Sequence, residues 1–214
     1  MFYEVARVAI KAVLWLLIRC EVNGLENVPR QGPLIVVSNH LNIIDPPLLG
    51  TLIPRRIRFM AKAELFHSPF TWLIVTLYGA FPVRRGALDR QALREAMRIL
   101  QSGGALGMFP EGTRSRTGQM QQARQGSAMV AVWSGAPVLP VGITGSDCIL
   151  LWPNIIRRPR LVINVGPPFM LQAPGNGRSR EALEDLNQEM MRRVAVLLPE
   201  AQRGLYADVQ EHRD

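Results

Sequence analysis

Cysteine is scarce in this 214-residue chain: Cys20 and Cys148 are the only two, with no CxxC spacing. That excludes a disulfide scaffold or a thiolate zinc site and fits a reducing compartment, while a single Cys20–Cys148 bridge stays open. Lysine is almost absent too. Lys11 and Lys62 are the only two among 25 basic residues, and the other 23 are arginine. No apolar run approaches the roughly 18 residues of a membrane span. The longest uncharged stretch near the N-terminus, 12–18, lies between Lys11 and Arg19, and no small-residue cleavage site follows it, which argues against a secretory signal. Several motifs are also missing. There is no GxSxG elbow, no GxxxxGK[ST] or GxGxxG loop and no HExxH, which removes the usual acyl-serine, nucleotide, dinucleotide and zinc chemistries. Covalent catalysis therefore has no evident nucleophile, and what remains is base-assisted attack by a substrate hydroxyl.

What is present is a chain with 48% apolar residues and a formal charge of +8. It is long and apolar enough for one domain with a substantial core. The positive charge is compatible with nucleic acid, anionic lipid or a phosphorylated substrate, or with no more than solubility. Aromatic residues are only 7% and no recognition motif occurs, so nucleic acid is the weakest of these. On a helix over 1–19, Glu4, Arg7 and Lys11 form one polar stripe. Phe2, Val5, Val8, Ala9, Val13, Leu16 and Leu17 cover much of the rest, with Trp15 suited to an interface. Such a helix can lie in a bilayer surface, the plain alternative being packing on the protein's own core.

Strands and helices alternate through the rest of the chain. Residues 33–39 form a continuous apolar run, as expected of a strand buried on both faces. Asp45-Pro46 reads as a helix start, with Asp45 as cap and Pro46 first in the helix. Further strands are predicted at 57–61, 80–84, 105–109, 138–144 and 161–165. Helices are predicted at 64–78, broken near Pro69, and at 89–101, 124–134 and 179–198. The pattern predicts a single α/β domain over 20–214, with a largely parallel or mixed central sheet flanked by helices and the N-terminal amphipathic helix as an attached layer.

Two constellations follow apolar strands, where open α/β sheets gather their active sites. The first is Ser38-Asn39-His40 with Asp45. His40 can take a proton from a hydroxyl at neutral pH, and Asp45 is its natural orienting partner. Five residues along a helix would set the two about 140° apart, so they must meet across a loop. The plain alternative makes Asp45 a helix cap and His40 a loop residue. The second is Glu111-Gly112-Thr113-Arg114. Gly112 lets backbone amides approach an anion, Thr113 offers a hydroxyl and Arg114 a fork that matches phosphate. Glu111 either anchors Arg114 or accepts from a substrate hydroxyl. The alternative is a polar turn with solvated arginines. Arg84 ends a predicted strand downstream of Lys62, and it joins Arg114 around a phosphate or is simply a surface arginine. Residues 138–143 carry no chemical groups and read as a buried strand beside an apolar cleft.

Taken together, these residues resemble the glycerolipid acyltransferase family that includes 1-acyl-glycerol-3-phosphate acyltransferases. The resemblance covers roughly residues 20–170. Asn39-His40 with Asp45 matches the NHx4D block, Phe81 to Arg84 the second, Phe109 to Arg114 the third and Val138 to Ile143 the fourth. It implies His40 as base and Asp45 as its partner, with Asn39, Lys62, Arg84, Glu111, Gly112, Thr113 and Arg114 around the acceptor. It implies no metal and no cofactor beyond an acyl donor, acyl-CoA or acyl carrier protein. The implied reaction is acyl transfer to the sn-2 hydroxyl of a lysophospholipid at a membrane surface, peripheral and on the cytoplasmic face, with anionic lipid as partner. Other acceptors (glycerol 3-phosphate, a lyso-ornithine lipid) and a catalytically silent lipid-binding protein are the competing readings. Residues 171–214 match no block.

Overall fold

The computed structural model describes residues 11, 12, 16–83, 89–124, 126–149, 158–172 and 179–208. Most of the predicted N-terminal helix, and Arg84, lie outside the described residues. Seven strands form one sheet in the order β1-β7-β6-β2-β5-β3-β4. They are β1 (Arg19–Asn23), β2 (Leu34–Ser38), β3 (Ile57–Lys62), β4 (Phe81–Val83), β5 (Ala105–Met108), β6 (Val138–Thr144) and β7 (Arg160–Val165). Every pairing is parallel except β6 with β7. The helices are α1 (Asp45–Leu52), α2 (Pro69–Leu77), α3 (Arg90–Gln101), α4 (Gly126–Ser134) and α5 (Arg180–Ala195).

The apolar run at 33–39 becomes the central strand, and all five residues of β2 are buried. Its side chains alternate between two cores. Ile35 and Val37 join Ala96, Ile99, Ala128, Leu186 and Met190, contributed by α3, α4 and α5. Leu34 and Val36 join Leu48 and Leu49 of α1, with Ile57, Phe59, Val141 and Ile163. A strand with apolar neighbours on both faces has no reason to alternate polar residues, which is why the run is continuous. Asp89 caps α3 by accepting from the Gln91 and Ala92 amides.

The structure adds and shifts details. Strand β1 was not expected, because Arg19, Glu21 and Asn23 point outward from an edge strand and mask its pattern. Ile18 is only 1% exposed and Arg19 opens β1, so these two residues belong to the folded domain rather than to a free helix. The buried face of α3 uses Ala92, Ala96, Ile99 and Leu100, a small rotation from the expected Leu93, Ala96, Met97 and Leu100. Both cysteines are free thiols, so the open bridge between them does not form.

The topology opens a crevice. β2 and β5 are adjacent and parallel, with Val37 beside Met108. The loop leaving β2 leads to α1 on one face, and the chain leaving β5 leads to α4 on the other. Where two neighbouring connections diverge to opposite faces, the carboxyl ends of the strands stay accessible. His40 and Glu111 lie there.

Candidate active site

His40 sits two residues past the end of β2, and local bonds hold its backbone on both sides. Before it, the Asn39 side chain donates to the Ile143 carbonyl at 2.9 Å and accepts from the Ile143 amide at 2.8 Å. This continues the β2–β6 ladder through a side chain. The His40 amide donates to Glu111 Oε1 at 3.2 Å, and its carbonyl accepts from the Ser115 amide at 2.7 Å. The ring stacks on Phe109, with centroids 4.1 Å apart, and Phe109 stacks in turn near Phe59 at 5.8 Å. Gly107 makes room for this column, because a Cβ there would lie 2.2 Å from the Phe59 ring.

His40 Nδ1 and Asp45 Oδ2 are 2.8 Å apart. The same oxygen accepts the Leu41 and Asn42 amides, each at 2.7 Å. Asp45 is fully buried and His40 is 8% exposed. Among the described residues Oδ1 has no donor, so all three bonds gather on the oxygen facing the imidazole. A carboxylate at Nδ1 selects the tautomer with its proton there and leaves the Nε2 lone pair for a substrate. This arrangement corrects the expected helix cap. Asp45 is the first residue of α1, the cap position falls on Ile44, and no side chain caps the helix. The carboxylate reaches back into its own loop because those amides need an acceptor as well as the imidazole.

Glu111 lies behind His40. It is 2% exposed, and Oε2 accepts the Gln121 amide at 3.2 Å. Burial pushes its carboxyl up to about 7; the His40 and Gln121 amides pull it down, and the negative charge of Asp45 adds to the rise. Its two described bonds therefore go to backbone, and neither goes to Arg114. Gly112 takes a positive φ of 67°, but its amide donates to the Phe109 carbonyl at 2.9 Å rather than standing open to an anion. Thr113 is half-buried and Arg114 exposed. Lys62 makes a surface ion pair with Glu64 at 3.1 Å. The structure thus brings His40, Asp45, Asn39 and Glu111 into one bonded unit, with Thr113 and Arg114 at its rim.

The chain matches the family model described as Acyltransferase over residues 19–144. It belongs to the acyltransferase family. It is 33% identical over 153 residues to the 1-acyl-sn-glycerol-3-phosphate acyltransferase of Borreliella burgdorferi, covering 70% of this chain and 61% of that one. It is 24% identical over 196 residues to the Bacillus subtilis protein of the same name, covering 91% and 96%. The crystal structure of the 1-acyl-sn-glycerophosphate (LPA) acyltransferase of Thermotoga maritima superimposes with a TM-score of 0.69 at 29% identity, covering 92% of this chain and 78% of that one. The chain spans 61% of its Borreliella relative and 39% of a chloroplast relative from Brassica napus.

Several contributors were invisible in the sequence. Gln121, Ser115 and Ile143 act through backbone atoms, which any residue type supplies. Phe109 carried a signal, an aromatic at the end of a strand directly before the Pro-Glu-Gly turn. Among the described residues, no three His, Cys, Asp or Glu side chains gather as metal ligands.

Proposed function

We propose that the chain transfers a fatty acyl group from an acyl thioester to the sn-2 hydroxyl of 1-acyl-glycerol-3-phosphate, giving phosphatidic acid. The observation that carries this reading is the buried His40–Asp45 pair at 2.8 Å, which leaves one imidazole nitrogen available at the carboxyl edge of the sheet. Nε2 takes the hydroxyl proton as the oxygen attacks the thioester carbonyl. Asp45 stabilises the imidazolium. The tetrahedral intermediate collapses, the carbon–sulfur bond breaks, and the thiolate leaves with the proton from Nε2. Arg114, exposed at the rim, grips the acceptor phosphate, and Thr113 and Lys62 add polar contacts within reach of the same edge. The names carried by the relatives favour lysophosphatidate over glycerol 3-phosphate or a lyso-ornithine lipid. A silent lipid-binding protein would have no use for an oriented base.

The test is incubation with labelled acyl-CoA and, separately, labelled acyl carrier protein against these three acceptors. Labelled phosphatidic acid is the expected product. Acylation of another acceptor, with none of lysophosphatidate, contradicts the assignment.

The same reading places the protein at a membrane surface, peripherally and on the cytoplasmic face. Its support is chemical: the acceptor and product reside in bilayers, and no helix among the described residues is long and apolar enough to cross one. Leu16 is 66% exposed, beside Lys11 and Arg19, which are also exposed. Apolar side chains flanked by cations suit an anionic lipid surface. Removing residues 1–15, which spares the buried Ile18, is expected to release the protein from anionic vesicles in a flotation assay. Undiminished flotation contradicts the interfacial assignment.

A further inference from the structure

The C-terminal segment lies beyond the residues matched by the family model, and no motif marks it. After α5 the chain turns at Pro199 and makes two short 3-10 turns, Glu200–Gln202 and Gly204–Tyr206. Gln202 bonds toward both supports of His40. Its carbonyl accepts the Met120 amide at 2.9 Å, and the next residue, Gln121, donates to Glu111 Oε2, whose other oxygen accepts the His40 amide. Its side-chain Oε1 accepts from the Thr144 hydroxyl at 2.9 Å. The residue before Thr144 is Ile143, which holds the Asn39 amide on both sides. One residue therefore grips Thr144, next to the Ile143 that holds Asn39, and Met120, next to the Gln121 that holds Glu111.

The rest of the segment locks this residue in place. Gly204 has φ +54°, and a Cβ there would stand 2.3 Å from the Met120 carbonyl oxygen. Its contact with Met120 is backbone against backbone, with no side chain that could yield. Tyr206 is 4% exposed and packs in the same core as Met120. Burial, reinforced by the charge of Glu111, pushes the Tyr206 hydroxyl above its ordinary range, so this ring lies within the field of the Glu111 carboxylate.

We propose that residues 200–206 form a clasp that positions His40 for proton removal, with Gln202 and Gly204 as positioning residues acting through Glu111 on one side and Asn39 on the other. The proposal rests on His40 being the base. An exposed loop would not hold an imidazole to the tolerance that proton transfer requires, and a misplacement of about 1 Å can cost about 100-fold in rate. The clasp ties the loop after β5 and the end of β6 to one turn that follows an amphipathic helix, which gives that tolerance a mechanical source. The charged and titratable groups around Glu111 include Asp45 of α1, the His40 ring, Arg124, whose side chain packs on Gly112, Tyr206 of the clasp and, beyond Tyr206, Arg192 of α5.

The test uses the full chain with Gly204→Ala, Gln202→Met and Gln202→Glu, assayed for kcat and KM with lysophosphatidate. Gly204→Ala pushes Met120 away and with it the Gln121 amide, so kcat is expected to fall about 10- to 100-fold while KM changes less than about twofold. Gln202→Met should lower kcat about tenfold, and Gln202→Glu, which keeps an acceptor for Thr144, should recover most of it. An unchanged kcat in folded Gly204→Ala overturns the proposal. So does a rise in KM alone, or an equal loss of kcat in both Gln202 variants. If Gly204→Ala does not fold, the Gln202 pair decides. His40→Ala run alongside separates the two levels: an active His40→Ala removes the base assignment itself, whereas an inactive one beside unaffected clasp variants removes only the clasp.

Discussion

The two loops at the carboxyl edge of the sheet are built differently. In the loop after β2, His40 Nδ1, the Asn39 side chain and Asp45 Oδ2 are all bonded to protein, and Asp45 is fully buried. In the loop after β5, Glu111 is buried and bonded to backbone, but three residues later Arg114 is exposed. On the roles proposed for His40 and Arg114, the difference follows from what each group must do. A base works only at one orientation, so the protein desolvates it and fixes it before substrate arrives. A phosphate grip meets a ligand that arrives hydrated and leaves hydrated. A buried guanidinium with no partner would cost several kcal/mol, so it stays at the rim until the phosphate supplies its counter-charge. Glu111 belongs to the first group although it stands in the second loop.

This contrast can be broken in a definite order. The largest effect is expected from His40→Ala. Turnover should fall on the order of 1,000-fold, with the circular dichroism spectrum and melting temperature little changed, because the ring lies on a loop and stacks on a single aromatic side. Retained turnover in a folded His40→Ala contradicts the mechanism.

Asp45→Asn comes next. The amide substitutes a donor for one of the carboxylate oxygens in a pocket that already contains three donors. A fall in kcat of about 100-fold is expected from the lost charge and tautomer control, with a stability loss of about 1–3 kcal/mol. Chemical denaturation alongside initial rates checks both. A change in KM without a change in kcat would place Asp45 in binding instead.

Arg114→Ala tests the open loop. KM for lysophosphatidate should rise about tenfold while kcat and the KM for the acyl donor stay within about twofold. Stability should not move, since the side chain is exposed. Equal defects toward both substrates would show that Arg114 is not the phosphate grip.

The smallest effect concerns pH and stability. The Glu111 carboxyl is raised from 4.5 to about 7, chiefly by burial. A raised carboxyl means that the folded protein binds a proton more tightly than the unfolded chain does. This group's contribution to stability is then fully present below 4.5 and is lost as pH rises through about 7. Glu111→Gln cannot ionise and should lose that slope. Urea midpoints of both proteins at about pH 5 and about pH 8 give the comparison, with the wild type falling more between them. Parallel behaviour would mean that the carboxylate is better solvated than its burial indicates.

Much of this molecule follows from local sequence. The continuous apolar run of β2 shows a strand covered on both faces, because transfer from water depends on side-chain chemistry that can be read position by position. His40 and Asp45 stand five residues apart, close enough for one short loop to join them, and their pairing was legible for that reason. The cap assignment at Asp45 was not, because the choice between capping the helix ahead and gathering the loop behind depends on which amides the chain presents in three dimensions. The edge strand β1 went unread because half of its residues face solvent. The bonds from Ile143 to Asn39, from Ser115 to His40 and from Gln121 to Glu111, and the contacts of Gln202, are long-range and made largely by backbone atoms. A backbone amide looks the same beneath every residue, so its partner is decided only when the tertiary structure brings distant segments together.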